Sequence, residues 1–486
     1  MTDARLYDDA GMPALEISGE GPRPASVELE GARARTHGRL HGRGRTWRAV
    51  VPLHAARWGC ADLPLPSGRY RVRIDAGEAT DADASAPTLA ETALPGLRAA
   101  LSDGVVTVAP PVDPVYLSGE GRAAIERRYA MGGREPLENA VFFESFYGRT
   151  AGCNPLAIDR ELARVAPGVT RYWSVVDLSV EVPEGAIAVV EGSPEWWRAR
   201  GVSRLLVVND WLRRRFVRRR GQRVLQTWHG TPLKRLALHR PGFDPRRALA
   251  VVRESRRWNI LLAQSPYAAR VLSKAYAFLR RPIWVEGYPR DDALQNDDGL
   301  ETRRRLGIRP DERVLLYAPT WRDDRERIVD FVDPSALARA TDAVVLVRGH
   351  TRTLQPGADL DGPRVIDVTG YPDTSRLLAA ADALITDYSS VMFDFAITGK
   401  PIYFLVPDLE RYRGEMRGFY FDLLDLAPGP VVRSQDELER ALAEVDPSIF
   451  AERYARWRQL FAPRDDGRAA ERVVARILDQ GFVERG

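Results

Sequence analysis

Apolar residues along this chain follow two different rhythms, and the change between them near residue 118 divides it. Before that point, short segments such as ASVELEG, RTWRAVVPL and GRYRVRIDAG alternate or run apolar over strand lengths between glycines and prolines. That pattern predicts a small β-sandwich. The acidic, small-residue stretch Glu78–Pro87 reads as a surface loop, and PPVDPVY, ending at Tyr116, as a linker. Beyond it, apolar strands alternate with longer amphipathic stretches, the signature of parallel α/β layers. ENAVFFES, TRYWSVVD, AIAVVEG, SRLLVVN, RVLQTW and WNILLAQ form one series; RVLLYAP, AVVLVRG, RVIDVT, ALITDY and PIYFLVP form a second, after EGYPRDD. The expectation is an α/β protein with a β-rich accessory domain (1–117) and two Rossmann-like lobes (118–286 and 287–486). The closing GRAAERVVARILDQG has helical spacing and a terminal glycine, and such a tail helix is expected to cross back onto the first lobe.

Composition narrows the class. With 486 residues, 44% hydrophobic and 28% charged, the chain carries material for two or three cores and excludes a disordered or fibrous protein. Cys60 and Cys153 lack CxxC or metal-ligand spacing, which argues against a disulfide framework or zinc site and for a reducing compartment. MTDARLYDD is acidic, and no apolar stretch reaches bilayer length, so neither a signal peptide nor a membrane span is read. All but three of the 71 basic residues are arginine, a bias of genome composition that makes arginine position, not number, informative. WLRRRFVRRR sets six arginines around bulky apolar residues from Trp211 to Arg220. On a helix this stretch would rest on an anionic membrane; a solvated face or a nucleic-acid patch are the alternatives. No base-stacking or DNA-reading module accompanies it, and no nucleic-acid partner is expected.

Open parallel sheets bind ligands at the carboxyl ends of their strands. Those positions here carry His229-Gly230-Thr231 after VLQTW, Thr320-Trp321-Arg322 after VLLYAP, Arg348 and His350 at the end of AVVLVRGH, and Asp387-Tyr388-Ser389-Ser390 after ALIT. In ITDYSSVMFDFA a strand ends and a helix begins at two serines, which suits a phosphate and equally an ordinary helix cap. In QTWHGTPLKRL, Thr231 and Pro232 predict a helix start, whose dipole would keep His229 neutral and able to accept a proton. A loop histidine satisfied by a backbone carbonyl is the structural alternative. Arg322, Arg348 and His350 are expected on one rim, where cations would neutralise a diphosphate. GxxxxGK[ST], HExxH, GxSxG and a strict GxGxxG are absent, and the doublets Asp291-Asp292 and Asp323-Asp324 read as surface carboxylates. No metal and no cofactor are expected.

Together QTWHGTPLKRL, GYPRDD, YAPTWR, RGH at Arg348 to His350, and TDYSSVMFDFAITGKPIYF resemble the CDP-glycerol glycerophosphotransferase family of teichoic-acid synthesis. FFESFYGRTAGCNPLAI also looks like that family's first motif, and the likeness is colinear over roughly residues 138 to 480. It implies a two-lobed fold of glycosyltransferase-B type, with the CDP-alditol donor mostly on the C-terminal lobe. It implies His229 as base, His350 as a second essential histidine and Asp387 as the active-site aspartate. Thr320, Arg322, Ser389 and Ser390 match diphosphate-contacting positions, to which Arg348 is added as a rim cation. Ser145, Asn154, Gly230, Thr231 and Arg290 are expected to line the site. The resemblance further implies a cytoplasmic protein, peripheral on the inner membrane face, that extends a lipid-linked or polymeric alditol-phosphate acceptor and releases CMP. CDP-ribitol is the rival donor. A nucleotide-sugar glycosyltransferase and a non-catalytic polymer-binding adaptor are the other readings. The β-rich N-terminal region departs from the family, which often carries membrane-binding helices or a second transferase there.

Overall fold

In the computed structural model, residues 3–42, 45–75, 87–131, 135–320, 331–349, 362–411 and 418–485 are described. Among them, Arg322, His350 and the Asp323-Asp324 doublet find no place, and of the predicted acidic surface loop only Pro87 does. Packing divides the chain into two compact units.

The first unit joins residues 1–131 to Gly148–Thr150 and Trp173–Ala199. Strands alternate inward and outward here because one face of each sheet meets a core and the other meets water. Asp3–Asp9, Met12–Glu20, Thr46–Pro52 and Arg39–His41 form one antiparallel sheet. Ser26–Gly31, Gly68–Asp75, Leu97–Ser102 and Val105–Ala109 belong to a second. Leu15, Ile17, Ala49 and Val51 of the first share one buried cluster with Val27, Leu29, Tyr70, Leu101 and Val106 of the second. Residues 173–199 join this unit through specific contacts. Asp177 accepts a hydrogen bond from the Ser67 N–H (2.8 Å), and Val175 and Val190 pack with Val112.

The second unit holds two parallel sheets. The strands of the first are β1 (Glu138–Glu144), β2 (Thr170–Val175, of which Thr170–Tyr172 lie in this unit), β3 (Ser203–Val208), β4 (Arg223–Gln226), β5 (Ile260–Ala263) and β6 (Ile283–Val285). They lie in the order β2-β1-β3-β4-β5-β6, and β1-β3-β4-β5-β6 pair in parallel. The second sheet contains β7 (Arg313–Ala318), β8 (Ala343–Val347), β9 (Val365–Asp367), β10 (Ala383–Thr386), β11 (Ile402–Leu405) and β12 (Val431–Val432). Its order is β9-β8-β7-β10-β11-β12, all parallel. Runs such as LLVV, AVVLV and ALIT are continuously apolar because both faces of these strands are covered. In each sheet the direction of strand succession reverses once, between β1 and β3 and between β7 and β10. Such switch points open a crevice at the strand carboxyl ends.

Helix α1 (Cys153–Val165) packs against residues 289–292. A short helix α2 (Val391–Phe395) follows β10. The tail helix α3 spans Ala469–Asp479, and the residues after it meet the first parallel sheet: Trp284 of β6 stacks on Phe482, and Asn139 of β1 exchanges hydrogen bonds with the Glu484 backbone (2.8 and 2.9 Å). Among the described residues no helix is long and apolar enough to cross a membrane. The arginine-rich stretch is not a helix either. Arg218 bonds Asn259 Oδ1 (2.9 Å), Arg219 reaches the Gly201 carbonyl (3.0 Å), and Arg213 lies over the Tyr147 ring and bonds its carbonyl (2.9 Å). These contacts tie Arg213, Arg218 and Arg219 to neighbouring backbone and side-chain groups.

Candidate active site

The switch point of the first sheet brings together Ser145, just past β1, and Asn209, just past β3. Both are fully buried. Asn209 Oδ1 accepts from the Phe146 N–H (2.9 Å), and its Nδ2 donates to Ser145 Oγ (3.0 Å). Its backbone carbonyl lies 2.6 Å from His229 Nδ1. A carbonyl only accepts, so Nδ1 carries the proton and the neutral ring keeps its lone pair on Nε2. The imidazole stacks on Trp228 (centroids 4.7 Å apart, 23° between planes) and meets Phe146 edge-on at 5.7 Å. The helix expected from Pro232 is absent, and with it the dipole argument for His229. Arg235 N donates to the Gly418 carbonyl (3.0 Å) and Tyr420 N to the Leu233 carbonyl (2.8 Å), so cross-chain pairing takes the backbone groups a helix would have used. Thr231 caps nothing; its hydroxyl donates to Gln264 Oε1.

Asn154 anchors the histidine loop from below. Its Nδ2 donates to the carbonyls of Thr227 (3.2 Å) and Trp228 (3.3 Å), while its Oδ1 accepts from the Arg290 N–H (3.2 Å). Trp228 itself has φ +54°, a left-handed backbone that bulky residues rarely adopt.

At the switch point of the second sheet, Asp387 is buried and its Oδ1 accepts from the Thr320 N–H (2.8 Å) and the Tyr388 N–H (2.5 Å). It thereby ties the ends of β7 and β10 together, the geometry of a residue that positions others. Ser389 and Ser390 are half-buried and open α2, and Ser390 makes no side-chain cap bond to it. The two switch points meet here: a Cβ added to Gly230 would lie 2.6 Å from Ser390 Oγ and 2.9 Å from its Cβ. The chain next to His229 can approach the Ser389-Ser390 turn this closely only because residue 230 has no side chain.

The rim assignment of Arg348 changes. The Arg348 guanidinium donates to the carbonyls of Val368 (3.1 Å) and Tyr371 (3.2 Å) and to Thr374 Oγ1 (2.8 Å), so it braces the loop after β9 and is not presented to a ligand. Burial pushes it down to about 10, still protonated at neutral pH. Arg290 is likewise committed, with both Asp394 oxygens at 2.8 and 2.9 Å. Burial opposes its charge, but Asp394, Cys153 and Asp291 outweigh that and hold it protonated.

Asp291 and Asp292 are not surface carboxylates. Asp291 is fully buried beside Arg290, and its Oδ2 accepts from Gln264 Nε2 (3.1 Å). Asp292 accepts from the N–H groups of Ala469 and Ala470, both at 2.8 Å, at the start of α3. One guanidinium thus faces three buried carboxyls, Asp291, Asp394 and Asp465. Burial raises all three, most directly shown by Asp465, pushed up to about 7 against the opposing Tyr288 N–H (2.7 Å). An unfolded aspartate titrates near ~3.9. The stability tied to Asp465 is therefore complete below that pH and is lost as pH rises through 7. Asp465→Asn keeps the acceptor for Tyr288 and removes the ionisation. Its melting temperature relative to the native chain should rise between about pH 5 and about pH 8, and a constant difference in a pH series of melts would overturn this. Among the described residues no three His, Cys, Asp or Glu side chains are grouped to hold a metal ion.

Of the site residues expected from sequence, His229, Gly230, Ser390, Ser145 and Asn154 gather here, with Thr320, Asp387 and Ser389 at the second switch point. Asn209 was missed, although it ends the apolar run SRLLVVN and the strand-end rule reaches it. Gln264 was missed in the same way at the end of WNILLAQ, whereas Asp394 and Asp465 follow no apolar strand.

Comparison with known proteins points one way. Residues 129–479 match the profile of the CDP-glycerol:poly(glycerophosphate) glycerophosphotransferase family. The chain is 35% identical over 380 residues to a teichoic acid poly(glycerol phosphate) polymerase of Bacillus subtilis, covering 72% of this chain and 50% of that one. It is 34% identical over 383 residues to a teichoic acid glycerol-phosphate transferase of Staphylococcus aureus, covering 71% and 94%. The chain therefore spans half of the first relative and nearly all of the second. A solved structure of the wall teichoic acid polymerase TagF superposes with TM-score 0.67 at 29% identity, over 74% of this chain and 93% of that one.

Proposed function

The chain belongs to the CDP-glycerol:poly(glycerophosphate) glycerophosphotransferase family, and from that premise we propose that it transfers glycerol phosphate from CDP-glycerol to a teichoic-acid-type acceptor. One observation carries the reading: His229, with Nδ1 engaged by the Asn209 carbonyl, is followed by Gly230, whose backbone approaches Ser390 where the two sheet switch points meet. Nε2 takes the proton of the acceptor's terminal hydroxyl, and the oxygen attacks the β-phosphorus of CDP-glycerol. The new O–P bond forms as the bond to the CMP oxygen breaks, and CMP leaves with that electron pair. Thr320, Ser389 and Ser390 meet the diphosphate, and Asp387 holds Thr320 in place. Arg322 and His350 keep the roles the family resemblance implies. The proposal assigns no cofactor, and it sets the acceptor on a lipid at the inner membrane face.

The test is product analysis. Purified protein given a glycerol phosphate oligomer should release CMP from CDP-glycerol faster than from CDP-ribitol. Release of a nucleoside diphosphate from a nucleotide sugar, with no CMP from either CDP-alditol, would sink the reading.

A further inference from the structure

Phe146 lies two residues beyond the end of β1 and is both exposed and strained. It is 36% accessible and has φ +47°, a left-handed backbone that a bulky residue adopts only under constraint. Tyr147 beside it has φ +59°. Strain of this kind persists where neighbouring structure over-determines it, and it concentrates at ligand sites. Asn209 supplies the constraint: its Oδ1 holds the Phe146 N–H at 2.9 Å while its carbonyl holds His229 Nδ1 at 2.6 Å. One asparagine therefore sets the aromatic ring and the imidazole against each other, with centroids 5.7 Å apart and planes at 60°. An exposed ring gains little from the core, so its strained placement is not accounted for by burial.

We propose that Phe146 is a specificity-determining residue that contacts the acceptor. Its exposed face receives the C–H edge of the terminal alditol unit and so presents the adjacent hydroxyl to His229 Nε2. An alditol alternates hydroxyls with C–H edges; an aromatic face desolvates the latter without competing for the former, which orients the chain. This inference rests on the transferase reading above and adds to it the element that recognises the acceptor.

Phe146→Gly, Phe146→Leu and Phe146→Tyr separate the possibilities, with initial rates of CMP release measured against CDP-glycerol and a synthetic glycerol phosphate trimer, and melting curves alongside. Glycine adopts positive φ without steric cost, so Phe146→Gly should melt at or above the native temperature. Its KM for the trimer should rise about tenfold, the scale of losing one apolar pocket contact, while KM for CDP-glycerol stays within about twofold. Phe146→Tyr should keep a near-native trimer KM, and Phe146→Leu should fall between. A trimer KM within about twofold of native in Phe146→Gly, or a fall in kcat alone, overturns the proposal, the latter by making the ring a mere support for His229. Native protein that releases no CMP from CDP-glycerol defeats the transferase reading itself; native turnover with unaltered Phe146→Gly kinetics defeats only this assignment.

Discussion

His229→Ala is expected to lower CMP release from CDP-glycerol by about 10²–10⁴-fold, the usual contribution of a positioned general base. The expectation rests on tautomer geometry. Because the Asn209 carbonyl claims the Nδ1 proton at 2.6 Å, the one basic nitrogen left is Nε2. The proposal gives donor binding to residues around Thr320 and Ser390, so affinity for CDP-glycerol should change little, as equilibrium binding of the intact donor would show. His229→Gln sharpens the test, since its amide donates to the same carbonyl yet cannot take up a proton at neutral pH. Equal loss in both variants assigns the effect to proton transfer. Retained turnover in the glutamine variant would reduce His229 to a spacer.

The second large effect concerns stability. Arg290→Ala should destabilise the chain by about 3–5 kcal/mol, because removing one partner of a buried pair strands the other. Arg290 and Asp394 side chains are 8% and 9% exposed and joined by two contacts below 3 Å, with Asp291 and Asp465 adding negative charge nearby. The loss has a pH signature. Without the guanidinium, the burial that already raises Asp394 and Asp291 acts unopposed, so those carboxyls take up protons more readily in the folded state. The variant should be closest to native at low pH, where the carboxyls are neutral, and furthest from it at high pH. Denaturant melts across pH check the sign. Arg290→Met combined with Asp394→Leu should regain much of the stability, since an apolar pair of similar volume avoids the desolvation cost. If the double variant is as unstable as Arg290→Ala, the pair's charges are not the cause.

Asn154 and Arg290 also connect the two chemical halves. The Asn154 side chain holds the Thr227 and Trp228 carbonyls next to His229, the Arg290 N–H holds Asn154, and the Arg290 guanidinium holds Asp394 on the helix that Ser390 opens. The buried pair therefore carries the histidine loop and the serine turn on one framework, so its value lies in register as much as in stability.

Local pattern by itself determined the strands and the class of fold. Runs such as LLVV and ALIT, short and bounded by polar residues, fit strands covered on both faces, and the alternation in GRYRVRID fits a sheet with one wet side. It also marked most of the candidate site, because residues directly after parallel strands stand at the rim of the crevice. Tertiary structure decided what depends on partners distant in sequence. Thr231-Pro232 looks like a helix start until Leu233 and Arg235 pair with Gly418 and Tyr420. Asp291 looks like a surface carboxylate until Gln264 and Arg290 close over it, and Arg348 a free cation until Val368, Tyr371 and Thr374 take its donors. Hydrophobic periodicity is written within a few residues, whereas the satisfaction of a buried donor, acceptor or charge is settled by whichever distant group the fold brings into reach.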